Sequence, residues 1–113
     1  LLDQEREQKA NGIRIKILGV GGAGGNIINT ILANTISGVE FISAHTNLNN
    51  FKYSKAKIKL QLGKETTSGL GTGAKPEIGA LAAEESREEI KEILRDTNLL
   101  FITAGMGGGT GTG

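Results

Sequence analysis

Several residue types that mark particular classes of protein are missing or scarce in this sequence. None of the 113 residues is cysteine, which excludes disulfide bonds, thiolate nucleophiles and thiolate metal sites. Tryptophan is also absent, and Phe51 and Tyr53 are too isolated to form a platform on which single-stranded nucleic acid could stack. The formal net charge is only +1, so no electrostatic footprint indicates nucleic acid or a membrane surface. No apolar run reaches transmembrane length, and we expect no direct membrane insertion.

Glycine is the residue type present in excess, with 18 glycines against a single proline. The glycines concentrate in three clusters, at 19–25, 69–73 and 105–113, which is typical of functional loops and not of low-complexity sequence. Residues 1–12 are polar and of mixed charge, and we expect a solvated N-terminal extension. Residues 13–113 are expected to form the N-terminal part of a longer domain, because the chain begins with leucine and stops within a glycine loop.

The pattern of apolar residues predicts alternating strands and helices. Strands are predicted at 13–18, 39–44, 57–62 and about 98–104, since these runs are short and rich in β-branched residues. Helical spacing predicts a helix of about ten residues after the first glycine cluster and a long helix over 76–95. We therefore expect an α/β fold, a Rossmann-like and mostly parallel sheet with flanking helices, in which all three glycine clusters converge on one edge.

The last glycine cluster, 105–113, follows a predicted buried strand directly. Backbone N–H groups that no Cβ shields can turn together toward an anion, and phosphate is the usual anion. The alternative is a flexible glycine-rich linker. The position immediately after a strand favours the phosphate-binding loop, and we call residues 105–113 the signature loop.

The first cluster matches the pattern G-x-G-x-x-G between a strand and a helix, which on its own indicates a dinucleotide. That function also requires an acidic residue at the end of the second strand, to hold a ribose hydroxyl. The sequence there is Ser43-Ala44-His45-Thr46-Asn47, without a carboxylate. The dinucleotide-binding oxidoreductase is therefore the weaker alternative, and no ordinary P-loop motif is present.

Taken together, the three clusters resemble the tubulin/FtsZ family of GTPases in its bacterial form. The similarity lies in the run 107–113, in the first cluster with Asn26, and in Pro76-Glu77-Ile78-Gly79 with the helix that follows. It extends from Ile15 to Gly113. Through this resemblance, residues of all three clusters are implied to bind the nucleotide: Gly21, Gly22, Ala23, Gly24, Gly25, Asn26, Gly71, Thr72, Gly73, Ala74, Gly107, Gly108, Gly109, Thr110 and Gly111.

The resemblance also implies a function for the whole protein. It implies binding of GTP and GDP with Mg²⁺, hydrolysis of GTP, and head-to-tail assembly into a filament that forms the cell-division ring. Membrane-tethering division proteins would be partners, at a cytoplasmic location at the division site, with an organellar targeting segment left open. The catalytic acids are expected beyond residue 113, on a later loop of the neighbouring subunit, so this chain alone is expected to be inactive.

Two positions depart from the family pattern. His45-Thr46-Asn47 stands where the family usually has Asn-Thr-Asp, and Lys75 replaces the asparagine before the proline. We predict that Lys75 contacts the terminal phosphate. The lost carboxylate leaves open a divergent nucleotide-binding relative without turnover.

Two further features have ordinary explanations. His45 is expected to be a hydrogen-bonded residue at the strand end, not a base. A basic run near the third strand is expected to be a solvated sheet edge that resists aggregation, the alternative being contact with anionic lipid or an acidic partner; the run comprises Lys52, Lys55, Lys57, Lys59 and Lys64.

Overall fold

A computed structural model of the chain describes residues 13–33 and 38–113. The predicted extension over 1–12 lies outside the described residues. In chain order the elements are β1 (Ile15–Val20), α1 (Gly21–Leu32), β2 (Val39–His45), a 3₁₀ turn (Leu48–Phe51), β3 (Ile58–Gln61), α2 (Lys64–Thr67), α3 (Pro76–Glu85), α4 (Arg87–Ile93) and β4 (Leu99–Ala104).

The four strands form one parallel sheet in the order β3-β2-β1-β4. β1 pairs along its whole length with both neighbours, so that Val20 lies opposite Ala44 on one side and Ala104 on the other. The carboxyl ends of β1, β2 and β4 therefore reach the same edge of the sheet. The predicted α/β fold with a mostly parallel sheet is confirmed.

Helices cover both faces of the sheet, as the alternation of strands and helices requires. On one face Ile28 of α1 packs against Phe41 of β2 and Ala56. On the other face Ala82 of α3 packs against Ile42 and Leu60. Successive residues of β2 therefore serve opposite cores, which explains why Phe41 to Thr46 are all buried.

From Gly21 onward, the first glycine cluster is not a loop before a helix, as the sequence predicted, but the first turns of the helix itself; Gly19 belongs to β1. α1 begins at Gly21, directly after β1. The absence of side chains lets the helix lie very close to the sheet: a Cβ on Gly24 would stand 2.6 Å from the carbonyl oxygen of Thr103. Close packing against the sheet thus offsets the low helix propensity of glycine.

The helix predicted over 76–95 is interrupted at Ser86, which is buried and leaves α-helical geometry with φ −97° and ψ 12°. Its hydroxyl accepts a hydrogen bond of 3.0 Å from the backbone N–H of Gly63. The side chain therefore satisfies a buried donor of another segment, which periodicity cannot reveal. The helical spacing of apolar residues over 76–95 would place Leu81 on the inward face, but Leu81 is 58% exposed.

Lys16 of β1 is buried, although its neighbours alternate as in an ordinary strand. Its ammonium donates to the carbonyl oxygens of Ile93 at 2.6 Å and of Arg95 at 3.1 Å, and it lies 3.7 Å from the carboxylate of Glu40. These carbonyls belong to the end of α4, where a positive charge is favoured. A residue of the sheet thus satisfies carbonyl groups at the helix end, where Lys91 also places a positive charge in the last turn.

Candidate functional site

A cavity of about 250 Å³ opens where the carboxyl ends of β1 and β4 meet. The amino-terminal turn of α1 forms one wall and the signature loop forms the other. Thr72 of the second cluster completes the lining. The lining residues are Val20, Gly21, Gly22, Ala23, Thr72, Gly105, Met106, Gly108, Gly109, Thr110 and Gly111. The structure therefore brings residues of all three glycine clusters to one cavity.

The wall formed by α1 presents a helix amino terminus. The first N–H groups of a helix have no intrahelical acceptor, and the helix dipole places partial positive charge there. The preceding residue, Val20, supplies no side-chain cap, and the first turn contains no acidic residue. These N–H groups are therefore available to an anion.

Contacts with other parts of the chain, together with one internal hydrogen bond, fix the signature loop. Gly79, in the first turn of α3, lies so close to the carbonyl oxygen of Gly109 that a Cβ would overlap it. Thr110 meets the side chain of Thr46, with 2.7 Å between the hydroxyl oxygens. Within the loop, the N–H of Gly107 donates to the hydroxyl of Thr112 at 2.8 Å. The loop is thus held without a regular element of its own.

The second cluster contributes fewer residues to the lining of the cavity than the other two. Thr72 is buried and lines the cavity, while Gly71 lies beside the side chain of Asn47. Gly73 and Ala74 are exposed, and both have left-handed backbone with φ 61°. Lys75, just before α3, is also exposed.

Some predicted site residues lie near the cavity without lining it. Gly24 and Gly25 are buried inside α1, where they allow the helix to approach the sheet. Gly107 is exposed at the tip of the signature loop, and a Cβ added to it would have no atom within 4 Å. Asn26 lines a neighbouring pocket instead.

That neighbouring pocket, of about 100 Å³, lies between α1 and the segment after β2 and shares Gly22 with the first cavity. His45 lines it and is only 1% exposed. Its Nε2 lies 2.6 Å from the hydroxyl of Ser43, and its ring contacts Phe51 edge to face. Burial lowers the pKa of His45 below 6.5. A neutral, hydrogen-bonded imidazole at the strand end agrees with the expectation from the sequence.

Sequence reasoning missed two residues that hold the signature loop. Thr46 is only 2% exposed and follows β2 directly, at the sheet edge where the glycine clusters meet. Gly79 is the fourth residue of α3, and a glycine inside a helix is a signal of close backbone approach. Both features are visible in the sequence, but neither identifies the segment that Thr46 or Gly79 contacts.

The chemistry available in the cavity is that of backbone dipoles and hydroxyl groups. No charged side chain is among the residues that line it. In the parts of the chain that the structure describes, no group of three or more histidine, aspartate or glutamate side chains could hold a metal ion. The cavity is therefore suited to an anion held by N–H and O–H donors.

A model of the GTPase domain of the Tubulin/FtsZ family matches residues 14–113. The chain belongs to the tubulin/FtsZ family. Membership of a GTPase family weakens the alternative in which the first glycine cluster is a dinucleotide-binding motif.

Curated relatives carry the name "Cell division protein FtsZ". The protein of Coxiella burnetii is 51% identical over 107 residues, which are 95% of this chain and 28% of the relative. The protein of Neisseria meningitidis serogroup A is 54% identical over 99 residues, which are 88% of this chain and 25% of the relative. The chain thus spans about a quarter of the length of these relatives.

Solved structures of the family have the same fold. The W319Y mutant of FtsZ from M. jannaschii is 42% identical and superposes with a TM-score of 0.88, covering 96% of this chain and 32% of that one. CetZ2 from Haloferax volcanii, described as a GTPγS-bound protofilament, is 23% identical with a TM-score of 0.73, over 88% of this chain and 32% of that one. At that identity the likeness concerns the fold alone.

Proposed function

We propose that this chain provides the phosphate-binding half of a GTP site in a cell-division GTPase. The observation that carries the proposal is the cavity between the amino terminus of α1 and the signature loop, in a member of a GTPase family. The α- and β-phosphates would lie along the signature loop, and the N–H groups of Gly21 and Gly22 would face them.

The proposed nucleotide-binding residues fall into two groups. Those that line the cavity would contact the phosphates: Gly21, Gly22, Ala23, Thr72, Gly108, Gly109, Thr110 and Gly111. The others would shape the loops or reach the nucleotide at the margins: Gly24, Gly25, Asn26, Gly71, Gly73, Ala74 and Gly107. The guanine specificity of the complete protein is proposed from family membership.

Hydrolysis is proposed to require assembly. The cavity contains no carboxylate that could activate water, so the catalytic acids would come from a later loop of a neighbouring subunit in a head-to-tail filament. Support for self-association comes from the M. jannaschii FtsZ structure described as a dimer, which is 40% identical. The filament would form the division ring in the cytoplasm, with membrane-tethering division proteins as partners. Among the described residues, no helix has the length and apolar character needed to cross a membrane.

Magnesium does not fit a site made by the described residues alone. Mg²⁺ is usually bound through one or two carboxylates together with substrate phosphates. Asn47 stands at the position where the family usually has an acid, and the only side-chain oxygens among the residues that line the cavity are the hydroxyls of Thr72 and Thr110. A Mg²⁺ ion is therefore proposed to arrive with the nucleotide and to be held chiefly by its phosphates.

The test is phosphate release and light scattering by the complete polypeptide that contains this sequence, measured against protein concentration with GTP and Mg²⁺. ATP and NAD serve as controls. Turnover that begins together with scattering above a threshold concentration is the expected result. Binding of GTP without turnover at any concentration would indicate the relative without hydrolysis, and Asn47→Asp would then be the first variant to make. Binding of NAD instead of GTP would contradict the proposal.

A further inference from the structure

The contact between Thr46 and Thr110 joins the end of β2 to the signature loop. The two hydroxyl oxygens are 2.7 Å apart, a distance typical of an O–H···O hydrogen bond. Thr110 also lines the cavity, whereas Thr46 does not and is only 2% exposed. One member of the pair thus faces the cavity and the other lies behind it.

Burial decides which hydroxyl donates. Within residues 13–33 and 38–113, the Thr46 hydroxyl has a single hydrogen-bond partner, the hydroxyl of Thr110. If Thr110 donated, the hydrogen of Thr46 would be buried without an acceptor, which is costly. If Thr46 donates, the hydrogen of Thr110 is free to point into the cavity. The second arrangement satisfies both groups.

The position of Thr46 is itself fixed from the other side. The hydroxyl of Thr67, in α2, lies 3.1 Å from the carbonyl oxygen of Thr46 and 3.1 Å from that of Gly63, so that it can donate to either. The N–H of Gly69 donates to the same hydroxyl at 3.3 Å. These contacts fix the position of Thr46 between α2 and the signature loop, so that its hydroxyl is directed at Thr110.

We infer that Thr46 is a positioning residue, which holds the Thr110 hydroxyl as a hydrogen-bond donor to a phosphate oxygen of the bound nucleotide. The inference rests on the proposed function, because it assigns the ligand in the cavity to a phosphate group. Thr46 acts through Thr110 and touches no ligand. Its contribution is to donate to the Thr110 oxygen, so that the hydrogen of the Thr110 hydroxyl is directed away from Thr46 and into the cavity.

The test is a double-mutant cycle in the complete polypeptide that contains this sequence, with GDP affinity as the measurement. Thr46→Val keeps the shape of the side chain and removes its hydroxyl. We expect GDP to bind about tenfold more weakly, the loss typical when a hydrogen bond to a charged group is weakened. In a Thr110→Val background the same substitution is expected to have almost no further effect, because Thr46 acts only through Thr110.

Two comparison variants separate positioning from general structure. Thr46→Ser keeps the hydroxyl, and we expect it to restore most of the affinity. Thr66→Val removes a hydroxyl that donates to Glu85 at 2.6 Å, outside the cavity, and is expected to change stability without changing GDP affinity. If thermal unfolding shows that Thr46→Val does not fold, Thr46→Ala takes its place in the cycle.

Each outcome bears on the inference. Equal losses from Thr46→Val in the two backgrounds would overturn it, as would unchanged GDP affinity in the single variant. Inorganic pyrophosphate, used as a second probe, separates this inference from the proposed function. The protein could bind pyrophosphate with the expected double-mutant effects and fail to bind GDP. That result would contradict the proposed guanine-nucleotide site and support the role of Thr46. Binding of neither probe to the unmodified protein would overturn both.

Discussion

The two glycine-rich walls of the cavity are built in opposite ways. The first, from Gly21 to Gly25, is regular helix, and its buried Gly24 and Gly25 allow that helix to lie against the sheet. The second, the signature loop, has no regular structure and keeps its shape through Gly79, Thr72 and Thr46 on other segments. Similar composition therefore reflects two physical requirements: close packing of an element in one case, and support of a bare backbone by its neighbours in the other.

The largest effect is expected where a side chain would separate α1 from the sheet. In Gly24→Ala the new methyl group would stand 2.6 Å from the carbonyl oxygen of Thr103 and 3.1 Å from backbone of Gly19. Neither backbone atom can move without disturbing β1 or β4. We expect a loss of about 2–3 kcal/mol of unfolding free energy, as for overpacked cores, together with loss of GDP binding. Denaturant unfolding and GDP titration of the complete polypeptide measure both.

The matched control is Gly108→Ala, since no atom lies within 4 Å of its Cβ position. We expect its unfolding free energy to stay close to that of the unmodified protein. Equal destabilisation of the two variants would contradict the distinction between the walls.

The second effect should fall on binding more than on stability. In Gly79→Ala the methyl group would overlap the carbonyl oxygen of Gly109, which belongs to the less regular wall and can shift. Alanine also favours the helix that contains it, by about 1 kcal/mol relative to glycine. We therefore expect GDP affinity to fall about tenfold or more while the thermal midpoint changes little. A variant that lost stability and kept its affinity would show that this contact does not set the signature loop.

A smaller effect concerns pH and the residue beneath the first wall. Burial keeps the pKa of His45 below the value of 6.5 that applies to the unfolded chain. Below that pH the unfolded state takes up the proton more readily, so stability is full above about pH 6.5 and declines as pH falls toward the folded pKa. We expect the thermal midpoint of the unmodified protein to fall by a few degrees more than that of His45→Gln between about pH 8 and about pH 5.5. Parallel pH profiles of the two proteins would contradict this role.

The smallest effect is expected at Lys75, beside the second wall. Its side chain is exposed, so that any attraction to a phosphate is weakened by water and by salt. For Lys75→Ala we predict a GTP affinity lower by about threefold at low ionic strength and unchanged at high salt. Glu77→Ala, an exposed neighbour of opposite charge, is the control. Unchanged GTP affinity of the lysine variant at low salt would exclude contact with the terminal phosphate.

Much of the fold followed from local patterns. Runs such as 39–44 and 98–104 have the length and β-branched content of buried strands, and β2 and β4 lie within one or two residues of the predicted bounds. The role of Ser86 could not be predicted, because its hydroxyl accepts a hydrogen bond from the N–H of Gly63, which is distant in sequence. The burial of Lys16 has the same kind of cause, the carbonyl groups at the end of α4.

The sequence predicted where the candidate site lies in the fold, but not which residues contact one another there. Glycine clusters after strands indicated one edge of a parallel sheet, and that edge contains the cavity. The sequence could not distinguish Gly22, which lines the cavity, from Gly24, which packs against the sheet, since both are glycines in one cluster. Thr46 escaped notice because a threonine after a strand is common, and its importance comes from Thr110, which is 64 residues away.

The two outer strands of the described sheet, β3 and β4, differ in the side chains that a further strand would cover. On one side, exposed Lys59 lies within β3 and exposed Lys57 lies just before it. A strand added there would have to desolvate these charged groups. On the other side β4 exposes Leu99, Phe101 and Ile102, which lose nothing by being covered. A further strand would therefore cover apolar surface beside β4, whereas beside β3 it would have to desolvate lysines.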